Sequence, residues 1–388
     1  MKKETDAITL HRKLVGKYEI KPRAEVTKEN LALMYTPGVA DACLLINEKP
    51  EEVYNLTRKS NTVAVITDGT AVLGLGDIGP FAGLPVMEGK AVLFKSFGNV
   101  DAIPILLNTK ETDEIVQTII NISPSFGGIN LEDISAPRCF EIERRLKEQL
   151  DIPIFHDDQH GTAIVTSAAV INILRLTRKD KETFKIVING AGAAGIAIAK
   201  LLLDIGFKDI ILCDKTGILH PDKSPNEAKL EIHYLTNPRQ IEGSLDEAIK
   251  DADLFIGVSA GNVLTEEMVK TMSAYAAVLA MANPIPEIHP DLAKKAGVYI
   301  IGTGRSDFEN QINNLSVFPG IFRAALDVRA TQINTEMMIA AAKALAYVID
   351  EDELKPNYII PSAFDMEAHQ KLIVAVKEAA IKSGVAKI

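Results

Sequence analysis

The chain has no tryptophan, and aromatic residues make up only 5% of its 388 positions. A core must therefore be assembled from aliphatic side chains, which suits layered α/β packing. Cysteine is nearly as scarce. Cys43, Cys139 and Cys213 are scattered, form no CxxC pair and are odd in number. A disulfide framework is excluded, and a reduced, cytoplasmic setting is the simplest reading. Long apolar runs are missing too. The longest helical one, Ala163 to Leu176, is broken by Thr, Ser and Asn and is too short to span a bilayer. No secretory signal is expected, because MKKETDAITLHRK has no apolar centre. Positive charge is in deficit. A net charge of -10 argues against nucleic acid or an anionic membrane as partner. An acidic chain that handles an anionic substrate must concentrate positive charge locally, with a metal ion or a few Lys and Arg.

What is present alternates strand and helix signals over a length that suits two domains. The most specific signal lies past the middle. Phe184 to Asn189 reads as a strand, Gly190-Ala191-Gly192-Ala193-Ala194-Gly195 fits GxGxxG, and Ile196 to Ile205 reads as an apolar helix. Phe207 to Cys213 reads as a second strand, closed by Asp214. Glycines there permit a tight turn, approach of a pyrophosphate and close helix–sheet packing, and the acid can bind ribose hydroxyls. Gly190, Gly192, Ala193, Ala194, Gly195 and Asp214 are therefore candidate dinucleotide contacts. The acid favours NAD, and Lys215 beside it leaves NADP possible. Further strands over 253–258, 277–281 and 298–301 end in Ser259-Ala260-Gly261, Ala282-Asn283-Pro284 and Gly302-Thr303-Gly304. Such strand ends form the ligand crevice of a parallel sheet. Ser259 and Asn283 are placed at the cofactor, and the amides of Asn283 and of the pair Asn313-Asn314 could hold a polar substrate.

The first half carries different chemistry. Helices are expected over 4–20 and from Glu29 to Tyr35, where Thr36-Pro37-Gly38 stops the second. From position alone, Tyr35 reads best as a core tyrosine. Thr62 to Ile66 reads as a strand ending in the turn Thr67-Asp68-Gly69-Thr70, then a second strand and a glycine-rich loop over 72–80, with a further loop after Pro80. Lys90 opens an apolar run, where desolvation lowers a lysine pKa and can make it a base; most lysines instead snorkel to water. A strand over 102–107 and helices over 112–122 and 140–150 follow. Glu132, Asp133, Asp157 and Asp158 then cluster on both sides of the domain boundary, the last two within the stretch 154–163, IFHDDQHGTA, ahead of a helix over 162–176. Carboxylate oxygens suit Mg²⁺ or Mn²⁺. Glu132 and Asp133 can share an ion only at a strand end or kink, since adjacent strand residues face opposite ways. His156 and His160 lack a third zinc ligand at suitable spacing and read as structural.

Taken together these pieces resemble the malic enzymes, in their short prokaryotic form. The matching motifs are MYTPGVA (34–40), TDGTAVLGLGDIGP (67–80), PVMEGKAVLF (85–94), NLEDI (130–134), FHDDQHGTA (155–163), GAGAAG (190–195), ANP (282–284) and NNLSVFPG (313–320). The resemblance implies a small N-terminal α/β domain with a mostly parallel sheet (1–154). A Rossmann-type domain with C-terminal helices follows it (155–388). It implies oxidative decarboxylation of L-malate to pyruvate and CO₂ with NAD or NADP and Mg²⁺ or Mn²⁺, in a homodimer. By the same resemblance Lys90 is the general base and Tyr35 the general acid. Glu132, Asp133 and Asp158 bind the metal, Asp157 supports them, and Asn283 and Asn314 hold substrate. One departure stands out. The large eukaryotic enzymes place an arginine for a substrate carboxylate before GLGD, and this chain has Thr70-Ala71-Val72, so backbone N–H groups of the glycine loop are expected to serve. Rival readings are malolactic conversion with bound NAD, a non-catalytic dinucleotide sensor, and an amino-acid dehydrogenase needing no metal.

Overall fold

The computed structural model describes every residue except 1–4, 73, 224 and 225. Glu4, the first residue of the expected opening helix, and Leu73, in the glycine-rich run, lie outside the described residues.

Two parallel sheets form the frame. The first has order β2-β1-β3-β4, from β1 (Thr62–Thr67), β2 (Asp101–Leu106), β3 (Gly128–Leu131) and β4 (Ile154–His156). All its pairings are parallel. Strand β1 is buried along its whole length, as its near-continuous apolar sequence requires of a strand covered on both faces. The second sheet has order β10-β9-β8-β5-β6-β7. Its strands are β5 (Ile186–Asn189), β6 (Ile210–Asp214), β7 (Gly217–Ile218), β8 (Leu254–Gly257), β9 (Ala277–Ala280) and β10 (Ile300–Thr303). Only the edge strand β7 runs antiparallel. Chain order reverses beside β5, between β6 and β8, which places a ligand crevice at the carboxyl ends of those strands.

Helices α1 (Asp6–Leu14), α2 (Lys28–Met34), α3 (Val39–Glu48) and α4 (Val53–Leu56) form an arm before the first sheet. Around that sheet lie α5 (Gly79–Gly98), α6 (Thr112–Ile122) and α7 (Arg138–Gln149). The long α8 (Asp157–Thr177) leaves β4 and runs to the second unit, where α9 (Ala193–Ile205) carries the glycine fingerprint. Then come α10 (Glu227–Leu235), α11 (Leu245–Ile249), α12 (Glu266–Lys270) and α13 (Pro290–Ala296). The chain closes with α14 (Phe318–Asp327), α15 (Thr335–Tyr347) and α16 (Met366–Lys382).

The closing helices return to the first unit. Phe94 of α5 meets Phe318 and Phe322 of α14 with ring centroids 4.8 and 5.4 Å apart. One continuous apolar core thus runs from Val63, Met87 and Phe94 through α8 to Ile186 and Leu372. Each fully buried aliphatic or aromatic side chain there contributes about 1.5–3 kcal/mol, so the site between the sheets sits on a rigid seam. Among the described residues no helix is long and apolar enough to cross a membrane.

Three local expectations are corrected. The 67–80 run contains no second strand among its described residues, only one bridge between Val72 and Gly76. No further loop follows Pro80, because α5 begins at Gly79 with the proline in its first turn, where its missing N–H costs nothing. And α8 starts at Asp157, not Thr162, so both aspartates sit on the first turn of a helix.

Candidate active site

Strand β3 ends at Leu131 and delivers Glu132 and Asp133 to the crevice. Asp133 has φ +53°, in the left-handed region. That kink turns two neighbouring carboxylates to the same side, which a straight strand forbids. The first turn of α8 supplies Asp158, whose Oδ2 accepts the Asp133 backbone N–H at 2.8 Å. Ligand oxygens of Glu132, Asp133 and Asp158 come within 4.8 Å of one another.

Lys90 projects from the middle of α5 and is 7% exposed. Its Nζ lies 2.5 Å from Asp157 Oδ2, 2.9 Å from Glu132 Oε1 and 4.0 Å from the centroid of the Phe318 ring. The expected depressed pKa is not what these surroundings give. Burial does push the ammonium toward neutrality, but Asp157 and then Glu132 outweigh it, and Lys90 is held above the ordinary lysine value. The apolar run that Lys90 opens is part of the helix α5.

The carboxylates are short of positive charge. Burial, with Glu132 and Asp158 adding to it against the pull of Lys90, pushes Asp157 up to about 8. Burial likewise raises Glu132, and Asp158 adds to it. Asp157 Oδ1 and Asn130 Oδ1 are buried without a hydrogen bond. An all-oxygen set, with buried polar atoms beside it still to satisfy, fits a hard divalent cation better than zinc.

The dinucleotide fingerprint has the geometry its glycines imply. A Cβ at Gly195 would meet the Gly190 carbonyl at 1.8 Å, and one at Gly190 would meet the Val258 carbonyl at 2.5 Å, while the side of Gly192 is open. Ala193 and Ala194 open α9, whose free N–H groups and dipole favour a phosphate. Asp214 ends β6. Its Oδ2 pairs with Lys229 at 2.5 Å, and its Oδ1 accepts from the Thr216 N–H and hydroxyl. Burial raises its pKa, but Lys229 and Thr216 more than offset that and hold it below the usual carboxylate value.

Ser259 and Asn283 follow the ends of β8 and β9, and Asn314 opens a short helical turn after β10. Asn189 Nδ2 donates to Ser259 Oγ at 2.9 Å. The Asn283 carbonyl lies 2.5 Å from where a Cβ on Gly74 would stand. Gly74 has φ +72°, and only glycine lets the 67–80 loop touch the second unit there. Asn314 lies beside Asp157: its Cβ is 3.1 Å from a Cβ built on Gly161, which itself would strike Asp157 Oδ1. The amides of Thr70, Ala71 and Val72 are taken by Asp68 Oδ1 and by the carbonyls of Asp133 and Gly76, so they are committed within the protein.

Tyr35 is not brought to this cluster by its own chain's contacts. It caps the C-terminus of α2, is 69% exposed, and its hydroxyl makes no hydrogen bond among the described residues. His156 is fully buried with Nδ1 3.8 Å from Asp158 Oδ2, and His160 pairs with Glu143 at 2.8 Å.

Two acids escaped the sequence reading. Glu143 lies on α7, fully engaged beneath the first turn of α8. Its signal was available: it falls on the stripe of Cys139, Ile142 and Leu146, where a carboxylate is out of place. Glu287 is 0% exposed and accepts the backbone N–H groups of Ser259 and Ala282, each at 3.0 Å. It ties together the loops after β8 and β9, and nothing in its local sequence marks that role.

A dinucleotide fold joined to a carboxylate cluster and a buried lysine defines a two-domain α/β dehydrogenase with a site suited to a hard cation. Residues 15–112 and 108–147 match the family described as "Malic enzyme, N-terminal domain", and residues 159–381 match "Malic enzyme, NAD binding domain". The chain belongs to the malic enzyme family. It is 54% identical to the bifunctional malic/malolactic enzyme of Bacillus subtilis over 99% of this chain and 94% of that one. It is 56% identical to the NAD-dependent malic enzyme of Geobacillus stearothermophilus over 96% of this chain and 78% of that one. The crystal structure of the NAD-dependent malic enzyme of Thermotoga maritima superposes with a TM-score of 0.93 at 50% identity, covering 96% of this chain and 99% of that one.

Proposed function

We propose that the crevice carries out the oxidative decarboxylation of L-malate to pyruvate and CO₂ with NAD as hydride acceptor. The observation that carries this reading is the convergence of Glu132, Asp133 and Asp158 beside the Lys90–Asp157 pair, at the mouth of a dinucleotide fold. Lys90 takes the C2 hydroxyl proton as hydride leaves for the nicotinamide. Loss of CO₂ from the resulting oxaloacetate gives an enolate, to whose oxygen Lys90 returns the proton, and Tyr35 protonates C3 of the enol. Asn283 and Asn314 hold substrate oxygens. Glu132, Asp133 and Asp158 would hold Mg²⁺ or Mn²⁺, which would supply Lewis-acid polarisation at C2 and offset the carboxylate charge that keeps Lys90 protonated. Turnover of L-malate, read as reduced nicotinamide with and without Mn²⁺, tests this. Metal-dependent reduction with pyruvate as product is expected, and metal-independent reduction contradicts it. A second reading has support in the Bacillus subtilis relative, whose name includes malolactic activity. Lactate formed without net reduced nicotinamide would favour it.

Asp214 supports NAD over NADP, since its carboxylate repels a 2′-phosphate. Its pairing with Lys229 softens that preference. Asp214→Ser is expected to weaken NAD binding by roughly 10- to 100-fold, the worth of a charged hydrogen bond, and to narrow the gap to NADP. Titration of both cofactors reads this directly, and an unchanged ratio contradicts the assignment.

A homodimer is also proposed. Helices α1 to α4 bury none of their residues, and the arm exposes Val15 at 88%, Ile20 at 85% and Leu33 at 74%. So much apolar surface calls for a cover, and a second copy supplies it. Tyr35 lies in this arm, so the tyrosine completes the partner's site. Mixing inactive Tyr35→Phe and Lys90→Ala chains after dissociation should restore about a quarter of normal activity by random pairing in a two-fold dimer. No recovery would place each tyrosine in its own chain's site. The unpaired thiols Cys139 and Cys213, both buried, support a reducing, cytoplasmic setting.

A further inference from the structure

Glu143 is 5% exposed and belongs to α7, whose Cys139, Ile142 and Leu146 pack on the first sheet. Its Oε1 accepts from the His156 backbone N–H at 3.3 Å, from His160 Nε2 at 2.8 Å and from Lys147 Nζ at 2.9 Å. Its Oε2 accepts from Gln159 Nε2 at 3.3 Å and from His160 Nε2 at 2.9 Å. The three residues held within the stretch 156–160 bracket Asp157 and Asp158 on both sides.

The helix needs such a partner. Its N-cap is His156, which makes no side-chain capping bond. In a capping box the third helical residue reaches back to the N-cap N–H. Gln159 occupies that third position, but its amide donates to Glu143, and Glu143 takes the His156 N–H instead. A residue from a neighbouring helix thereby closes the box. The first turn of α8 is pinned to α7, and with it the directions in which Asp157 and Asp158 point.

We propose that Glu143 is a positioning residue that, by gripping His156, Gln159 and His160, aims Asp157 at Lys90 and Asp158 at the cation. The proposal rests on the metal reading of Glu132, Asp133 and Asp158. Glu143 touches no reacting atom in it. Partners one layer behind metal ligands are worth about 10- to 100-fold in metal affinity, because a ligand free to swing must be ordered again on binding.

The test uses the full-length chain and Mn²⁺ itself, with free ion counted by electron paramagnetic resonance. Glu143→Gln keeps the shape and one acceptor but turns an N–H toward the Gln159 amide and His160. It is expected to weaken Mn²⁺ binding by about 10- to 100-fold and to lower kcat, while NAD binding changes far less, since Glu143 bonds to His156, Gln159, His160 and Lys147 and to no residue of the fingerprint. Glu143→Ala should lose more. Lys147→Met removes the partner that approaches the same carboxylate from the surface, with its side chain 30% exposed, and should bind Mn²⁺ normally. Unaltered Mn²⁺ affinity in Glu143→Gln overturns the proposal. So does an equal loss of NAD binding, which would report general collapse, or an equal loss in Lys147→Met, which would report charge near the helix and not aim. Failure of the unaltered chain to bind Mn²⁺ overturns the metal reading and this proposal together.

Discussion

Replacing Lys90 by alanine is expected to lower malate turnover by about 10²- to 10⁴-fold, the usual worth of a positioned general base, at saturating Mn²⁺ and NAD. Two losses add in this variant. The proton acceptor for the C2 hydroxyl disappears, and Asp157 and Glu132 lose the cation they share at 2.5 and 2.9 Å. Breaking a buried pair from one side costs roughly 3–5 kcal/mol when the orphaned charge has no relief. Here Asp157 has an escape, since burial already pushes it up to about 8 and it can take a proton. The fold should therefore survive, with a lower Tm. Lys90→Arg separates the two losses, because it keeps a cation for Asp157 and Glu132 but no group able to take the proton. Single-turnover hydride transfer reads the chemical step. A variant that keeps more than a tenth of normal kcat would remove Lys90 from the reaction.

Asp158→Ala should abolish metal-dependent turnover while leaving NAD binding largely intact. Asp158 is the member of the trio that comes from α8, and Glu132 and Asp133 come from the end of β3. Losing it opens one side of the set and frees the Asp133 N–H that it accepts. Mn²⁺ affinity is expected to fall by at least about 100-fold, beyond the effect of any outer partner. The dinucleotide fingerprint lies on α9 and the loop before it, so the NAD dissociation constant should hold. An equal fall in NAD affinity would mean that the two sites cannot be separated.

The second unit was largely legible because its signals are local. Strand, glycine turn, helix, strand and acid follow one another within residues 184–214, and each constrains the next. The first unit was legible as chemistry but less so as structure. Residues 79–85 carry Gly79, Pro80, Gly83 and Pro85, so local propensity reads loop. The buried stripe of Met87, Ala91 and Phe94 overrides it and makes a helix. The polar HDDQHG run likewise hid the start of α8. Its Gly161 is there for space beside Asp157 Oδ1, not as a breaker. The Asp133 kink could be demanded from two adjacent ligands but not located, since only the φ of the folded chain reveals it. The raised pKa of Lys90 depends on Asp157, which lies 67 positions away in sequence. No window of sequence brings those two together. Tyr35 is a case of the opposite kind. Position alone argued for a core residue, and the structure puts it on an exposed arm, 69% open to solvent.

The central claim is that the two halves of the chain build one cation site under Lys90. Crystals grown with Mn²⁺ and measured for anomalous scattering test it most directly. The account predicts a single strong peak ligated by Glu132, Asp133 and Asp158. Ordered Mn²⁺ elsewhere, with those three carboxylates unengaged, would contradict it.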